Sequence, residues 1–191
     1  MPFKIIEDWL EQEKNLGSLY PNRLVLATAT KDAVPHSRIV AIKEMTHESI
    51  LFFTQKGTRK TLEIETNPIA SATLWLPLQQ REIILDGEIA PILANDNKKY
   101  WEALPRETQL KFSAYSSTST QPINSINELE EKYDALSIQY KNSEIPLTAY
   151  YCGYRLFPKE ILFYTLGTNT FSEVFQFKLI NNEWKKQLLS P

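Results

Sequence analysis

The fold is decided by residues 23–54, which read RLVLATATKDAVPHSRIVAIKEMTHESILFFT. Polar and turn residues, among them Lys31, Asp32 and Pro35, divide this stretch into three short runs. The runs are rich in Ile, Val, Leu, Phe and Thr and lie at 23–30, 37–43 and 49–54. Such runs bounded by turn residues are typical of β-strands, so the stretch predicts three strands in succession.

The same pattern returns further along the chain. Five more runs of this kind lie at 69–76, 81–89, 160–166, 172–179 and 183–189. Many short strands at short spacing predict an antiparallel sheet closed into a barrel. A βαβ arrangement fits less well, because too few helical segments lie between the strands.

Helical patterns interrupt the strands. Ile5, Ile6, Trp9 and Leu10 share one helical face, which predicts an N-terminal helix within residues 1–20. Further helices are predicted at 58–66, 96–112 and 126–141, with Pro105 starting a new turn or a kink in the second of them. The Ser/Thr-rich residues 113–125 are predicted to form a mobile loop or a segment that covers a ligand.

The order of these segments predicts one domain over residues 1–191, of the α+β class and mainly β, with peripheral helices. Its parts are an N-terminal helix (1–20), the first barrel strands (23–89), a helical segment with the Ser/Thr-rich loop (96–141) and the C-terminal strands (160–191). The sequence contains neither an internal repeat nor a linker rich in Gly and Pro.

Composition excludes several classes of protein. The formal net charge of -2, without a basic block, argues against nucleic acid as the partner. The single cysteine, Cys152, excludes a disulfide framework, and His36 and His47 are interpreted as surface residues outside any metal site. No apolar run approaches the roughly 20 residues that cross a bilayer, and the charged N-terminus lacks a signal peptide's apolar region. We therefore expect a cytoplasmic protein without a membrane or metal partner.

The strongest local signal for a binding site is Gly57-Thr58-Arg59-Lys60, between a predicted strand and a predicted helix. The first N–H groups of a helix attract anions, and two cations beside them favour a phosphate. The alternative is that both cations lie on the surface of a helix and bind no ligand.

Other polar residues form no catalytic constellation. Arg38 and Lys43 flank one apolar run, and their opposite parity in a regular strand predicts opposite faces. Both would reach one anionic ligand only across a bulge, at a strand end or through a long side chain. The alternative is that each lies separately at the barrel rim, with its charge in water. Since no acid–base pair or nucleophile stands out, a bound cofactor is expected to carry the chemistry.

Four segments together resemble the pyridoxamine 5′-phosphate oxidase family. They are VLATATKDAVPHSRIVAIK (25–43), FFTQKGTRK (52–60), NPIASATLWLP (67–77) and EWKKQLLSP (183–191), and their order and spacing are similar over nearly the whole chain. The resemblance implies a split barrel that binds FMN and forms a homodimer with flavin sites at the subunit interface. It also implies oxidation of the 4′ amine or alcohol of a phosphorylated B6 vitamer to pyridoxal 5′-phosphate, with hydride passing to the flavin and then to oxygen.

The resemblance assigns flavin contacts residue by residue. Those that match the family's motifs are Arg38, Ile39, Val40, Lys43, Phe53, Thr54, Thr58, Arg59 and Lys60. At further flavin positions Glu82 stands for a glutamine, Tyr164 for a tryptophan, and Ser117-Thr118 for a Gln-Ser pair. A carboxylate at Glu82 would repel a reduced, anionic flavin unless it were protonated or paired.

The substrate side departs further from the family. Lys43, Tyr100 and Thr108 keep polar groups where the family binds substrate, but Leu104 replaces the arginine between the last two. The family's Arg-x-His-x-Arg motif falls on Thr170, Ser172 and Val174, so its three basic residues are missing. Charge-assisted hydrogen bonds are the strong ones, and their loss predicts weak binding of the vitamer phosphate.

Three hypotheses follow. The first is a flavin-dependent oxidoreductase whose small-molecule substrate is less anionic than a B6 vitamer. The second is a true pyridoxamine 5′-phosphate oxidase in which Lys56, Lys111 or Arg155 replaces the lost clamp. The third is a dimeric flavin-binding protein without turnover; a barrel that has lost its flavin through Glu82 is a further alternative.

Overall fold

The computed structural model describes residues 1–167 and 170–191 of the chain. The described part contains nine strands, five α-helices and one short 3-10 helix, which follow one another along the chain. They are α1 (Pro2–Asn15), β1 (Arg23–Ala29), β2 (Pro35–Ala41), β3 (Glu44–Met45), β4 (Ile50–Gln55), α2 (Arg59–Thr66), β5 (Ile69–Leu76), β6 (Arg81–Pro91), α3 (Ala94–Glu102), α4 (Arg106–Tyr115), the 3-10 helix (Ser116–Thr118), α5 (Asn127–Gln139), β7 (Tyr151–Thr165), β8 (Glu173–Ile180) and β9 (Glu183–Leu189).

The strands form a single sheet in the order β2-β1-β5-β6-β7-β4-β3, and β8 pairs with both β7 and β9. The pairs β1/β2, β1/β5, β3/β4, β5/β6, β7/β8 and β8/β9 are antiparallel. The mainly antiparallel sheet that the sequence predicts is therefore confirmed. None of the helices in the described ranges is long and apolar enough to cross a membrane.

The chain divides into two compact units. The strand-rich unit comprises Met1–Phe52, Glu63–Ala90 and Tyr154–Pro191, and the helix-rich unit comprises Phe53–Leu62 and Pro91–Gly153. Each has its own buried core. The single domain over residues 1–191 stays a prediction.

Strand alternation builds the core of the strand-rich unit. In β5 the side chains of Ala70, Ala72, Leu74 and Leu76 are buried, while those between them face outward. The helix α1 packs Trp9 edge-on against Phe163, with ring centroids 5.3 Å apart. Gly87 is required in β6, because a Cβ there would lie 2.1 Å from the carbonyl oxygen of Phe157.

Aromatic residues dominate the core of the helix-rich unit. Trp101, Phe112 and Tyr151 pack together with Leu110 and Ile145. The indole Nε1 of Trp101 donates a 2.9 Å hydrogen bond to the carbonyl of Ile145, so the buried ring is also satisfied as a donor.

Two predicted elements differ from the structure. The helix predicted at 96–112 is two helices, α3 and α4, and Pro105 lies at the N-cap of the second, where a missing N–H costs nothing. The strand predicted at 160–166 begins nine residues earlier, at Tyr151. Gly153 is a packing requirement within β7, since a Cβ there would lie 2.7 Å from the Phe53 ring.

Candidate functional site

A sharp turn connects the end of β4 to the start of α2 in the helix-rich unit. Gly57 has φ +83°, a conformation that glycine adopts without strain. The hydroxyl of Thr58 donates a 2.8 Å hydrogen bond back to the carbonyl of Gln55 and so closes the turn. The Thr58 carbonyl then accepts from the N–H groups of Thr61 and Leu62, at 3.0 and 3.1 Å, which makes Thr58 the N-cap of α2.

Lys60 lies across this turn. Its Nζ donates to Thr54 Oγ1 at 2.8 Å and to Thr58 Oγ1 at 3.3 Å, and both threonines are buried. Arg59 is exposed and has no hydrogen-bond or ion-pair partner within residues 1–167 and 170–191. We call Thr54, Thr58, Arg59 and Lys60 the anion cradle.

The anion cradle concentrates positive potential. Its two cations lie in the first turn of α2, which contains no acidic residue. The partial positive charge of a helix N-terminus opposes such cations, so their placement is locally unfavourable unless an anion is bound there. The Lys60 ammonium, the Arg59 guanidinium and the first helical N–H groups suit a phosphate dianion. The Thr54 hydroxyl adds a donor, whereas the hydrogen of the Thr58 hydroxyl is used in the bond to Gln55.

Aromatic side chains pack around Phe53, the residue that precedes the anion cradle. Phe53, the residue before Thr54, stacks on Tyr151 with centroids 4.8 Å apart and meets Tyr100 at 5.0 Å. Gln55 Nε2 donates to the hydroxyl of Tyr115 at 3.0 Å, and burial raises the pKa of that tyrosine despite this bond. Burial also raises the pKa of Tyr151. Both phenols therefore stay neutral at physiological pH.

A second polar cluster lies in the strand-rich unit. In the β1/β2 register Arg38 is opposite Leu26 and His36 is opposite Thr28, so both side chains face the buried side of the strands. Arg38 Nη1 donates to the carbonyl of Leu26 at 3.2 Å and to Thr28 Oγ1 at 2.6 Å, and its Nη2 lies 3.5 Å from Glu63 Oε2.

Glu63 joins the members of this cluster. Its side chain is only 5% exposed, and it accepts from the Thr28 hydroxyl and, at 2.6 Å, from His36 Nδ1. We call Thr28, His36, Arg38 and Glu63 the Glu63 cluster. Burial acts to raise the pKa of Glu63, but the hydrogen bonds from Thr28 and His36 and the charges of His36 and Arg38 outweigh it and lower the pKa below its ordinary value.

This lowered pKa predicts an acid-sensitive contribution to folding. A carboxyl group with a lower pKa in the folded chain stabilises the fold above its unfolded pKa of 4.5, and the contribution is lost as the pH falls through the folded value. Urea unfolding between pH 7 and 3 should show the stability difference between wild type and Glu63→Gln shrinking below pH 4.5. Glu65→Gln, an exposed change in the same helix, is the control; a difference that stays constant with pH contradicts the assignment.

The remaining flavin residues suggested by the resemblance are dispersed over the two units. In the strand-rich unit Ile39 is exposed, Val40 is buried, and Lys43 is exposed between β2 and β3. In the same unit Glu82 on β6 lies opposite Trp75 on β5. Tyr164 on β7 lies opposite Val174 on β8. Ser117 and Thr118 belong to the 3-10 helix of the helix-rich unit.

The positions for a substrate phosphate carry no cation. Tyr100 lies in α3, Leu104 packs on the Trp101 core between α3 and α4, and Thr108 is exposed in α4. The resemblance implies that these three positions share one helical face, but here they are divided between α3, α4 and the turn that joins them. In the strand-rich unit Thr170 is exposed, Ser172 Oγ accepts from the N–H of Gly167 at 3.2 Å, and Val174 is buried.

Two sequence-based interpretations are wrong. His36 is not a solvated surface histidine in a turn, since it lies in β2 beside a buried carboxylate. Arg38 does not hold its charge in water at a rim, because its side chain is 19% exposed and bonded to Thr28. Sequence reasoning also missed Glu63, because buried and exposed residues are mixed in α2 and no local pattern marks this acid. Its partners lie 25 to 35 residues away.

Comparisons with known proteins identify the family and the fold. The family model described as pyridoxamine 5′-phosphate oxidase matches residues 11–127. A protein of Idiomarina loihiensis named pyridoxine/pyridoxamine 5′-phosphate oxidase is 32% identical over 193 residues, which cover 100% of this chain and 89% of the relative. A protein of the same name from Rippkaea orientalis is 33% identical over 192 residues, with coverage of 100% and 89%.

Two solved structures share the fold. PhzG from Burkholderia lata 383, in complex with tetrahydrophenazine-1-carboxylic acid, superposes with a TM-score of 0.88 at 25% identity and covers 100% of this chain and 92% of its own. A pyridoxamine 5′-phosphate oxidase-related, FMN binding protein from Nostoc punctiforme gives a TM-score of 0.78 at 17% identity, with coverage of 98% and 96%. The split-barrel class expected from the sequence is confirmed.

Proposed function

The chain belongs to the pyridoxamine 5′-phosphate oxidase family, and from this membership we propose that it is an FMN-dependent oxidoreductase. The observation that carries the proposal is the anion cradle. Lys60 bridges two buried threonine hydroxyls and Arg59 extends from the same helical turn, an arrangement that suits the 5′-phosphate of FMN.

Each residue of the cradle has a distinct task. Lys60 supplies a charge whose position is fixed by Thr54 and Thr58, and Arg59 supplies a guanidinium that matches phosphate geometry. When bound, FMN supplies a ring that accepts hydride and passes electrons to an acceptor, for which we propose molecular oxygen. The resemblance adds flavin contacts that remain proposals: Arg38, Ile39, Val40, Lys43, Phe53, Glu82, Ser117, Thr118 and Tyr164.

We propose that the substrate is a small amine or alcohol without a phosphate. The family's four basic substrate positions are occupied by Leu104, Thr170, Ser172 and Val174, two of which pack in apolar surroundings. The polar groups left for substrate are those of Lys43, Tyr100 and Thr108. Of these groups only Lys43 is charged, and it is exposed, so a neutral or weakly anionic molecule leaves no buried charge unpaired.

A second candidate is a true pyridoxine/pyridoxamine 5′-phosphate oxidase. It is favoured by relatives of that name at 32% and 33% identity. The cations suggested as a replacement clamp are mostly engaged: Arg155 Nη2 lies 2.6 Å from Glu44 Oε1, and Lys111 Nζ lies 2.6 Å from Glu107 Oε1. Lys56 is exposed. We rank this candidate second because the clamp needs cations that can reach a phosphate.

We also propose a homodimer, as the resemblance implies. Exposed apolar side chains on the outward face of neighbouring strands support it: Ile39 on β2 is opposite Val25 on β1, and they are 70% and 42% exposed. Sedimentation velocity on the full chain should give the mass of a dimer, and a monomer over the whole concentration range would exclude it.

Oxygen reactivity tests whether the bound flavin turns over. The FMN-loaded protein is reduced by light under anaerobic conditions, with EDTA as the sacrificial electron donor, and then mixed with oxygenated buffer. We expect the oxidised absorption spectrum to return, with one hydrogen peroxide released for each flavin. If the flavin binds but stays reduced with oxygen and with artificial acceptors, the protein is a flavin-binding protein without oxidase activity.

A further inference from the structure

The guanidinium of Arg38 is held by acceptors from two elements of the strand-rich unit. On β1 they are the carbonyl of Leu26 and the hydroxyl of Thr28, and on α2 the acceptor is the carboxylate of Glu63. Because these acceptors come from separate parts of the chain, they fix both the position and the plane of the guanidinium.

The proton arrangement in this cluster follows from the groups themselves. Arg38 only donates, so the Thr28 oxygen accepts from it, and the single hydroxyl hydrogen of Thr28 is directed to Glu63. An ionised carboxylate only accepts, so His36 Nδ1 carries the proton that it shares with Glu63. Thr28 is therefore the middle member of a hydrogen-bond chain in which Arg38 donates to Thr28 and Thr28 donates to Glu63.

We propose that Glu63 is the positioning residue for Arg38. The buried carboxylate, working through Thr28 and directly, holds the guanidinium in one orientation, so that Arg38 meets FMN as an aimed hydrogen-bond donor. This inference rests on the proposed function, since it takes from the resemblance that Arg38 contacts flavin.

The charges of the cluster support that role. Glu63 balances Arg38 in a buried setting, where an unpaired carboxylate or guanidinium is costly. The charge of Arg38 is thus largely compensated within its own unit, whereas Arg59 is an exposed cation without a described partner. Orientation, rather than net charge, is what the Glu63 cluster adds to flavin binding.

Paired threonine variants test this hydrogen-bond chain. Thr28→Val keeps the shape of the side chain but removes the hydroxyl, and Thr28→Ser keeps the hydroxyl but loses a methyl group. We expect Thr28→Val to weaken FMN binding about 5- to 50-fold, which lies within the range of coupling energies between neighbouring groups. Thr28→Ser should bind FMN as tightly as wild type. A merely structural role predicts the reverse, with the isosteric valine tolerated and serine impaired.

A double-mutant cycle tests Glu63 itself. FMN titrations of Glu63→Gln, Arg38→Ala and the double variant, each checked for its folded fraction by circular dichroism, give the coupling. We expect Glu63→Gln to weaken FMN binding in the wild-type background and to have no further effect when Arg38 is alanine. An equal loss in both backgrounds overturns the inference, as does unchanged binding by Thr28→Val.

The outcomes separate the two levels of the proposal. If wild type binds FMN and the variants behave independently, only the positioning role fails. If wild type does not bind FMN at all, the proposed function fails and the inference fails with it. Should Glu63→Gln not fold, the threonine pair decides alone.

Discussion

Arg59→Ala is expected to weaken FMN binding by about 1.5–3 kcal/mol, or roughly 10- to 150-fold, because it removes a charge-assisted contact to the phosphate. Arg59 is exposed and has no partner within the described ranges of the chain, so its removal leaves no buried group unsatisfied. The stability of the variant without ligand should therefore equal that of wild type. Loss of stability is not expected, because a cation in a first helical turn opposes the helix dipole.

The measurement is a flavin titration of the full chain by fluorescence quenching, with thermal unfolding in parallel. Lys132→Ala removes an exposed cation from α5 in the same unit and serves as the control for net charge. Wild-type affinity in Arg59→Ala would remove this residue from the phosphate site. Equal losses of FMN affinity in Arg59→Ala and Lys132→Ala would show that net charge, and not a specific contact with the phosphate, causes the effect.

The phosphate of a B6 vitamer should contribute little to substrate binding. Each charge-assisted contact to a phosphate contributes about 1.5–3 kcal/mol, so a clamp of several cations favours a phosphorylated over an unphosphorylated ligand by more than roughly 1000-fold. Leu104, Thr170, Ser172 and Val174 provide no such contact. We expect pyridoxamine 5′-phosphate and pyridoxamine to differ in affinity for the FMN-loaded protein by less than about tenfold.

Competition or anaerobic flavin bleaching with both vitamers measures this ratio. A preference of about 1000-fold for the phosphorylated vitamer would contradict the expectation and support the second candidate, a true oxidase with a replaced clamp. In that case Lys56→Ala and Lys111→Ala, compared with Lys132→Ala, would locate the replacement. Arg155 is a poorer candidate, because it is bonded to Glu44 and Ser49.

Local patterns predicted the sheet and the start of α2 well, because their determinants are close in sequence. Alternation in β1, β5 and β6 marks the buried face, and Gly57-Thr58-Arg59-Lys60 marks the end of a strand and the start of a helix within four residues. The first nine residues of β7, by contrast, were not predicted as a strand. Gly153 lies among them, and its role depends on contacts with Phe53 and Ile92, far along the chain.

The Glu63 cluster shows what local patterns leave out. Thr28, His36 and Arg38 lie on one hairpin, but their acceptor comes from a helix about 30 residues later, at separations of 35, 27 and 25 residues. Strand parity places Arg38 on a definite face but does not say whether that face is solvated. The structure therefore changes the interpretation of Arg38 from a rim charge to a residue held by a buried carboxylate.

The central claim is that the anion cradle of this family member binds the phosphate of FMN, and comparing FMN with riboflavin tests it most directly. The two flavins share the ring and differ only in the phosphate. Titration of the apo-protein should show FMN binding at least about 100-fold more tightly than riboflavin, since Arg59 and Lys60 each add a charge-assisted contact. Equal affinity for the two flavins, or no binding of either, would contradict the account.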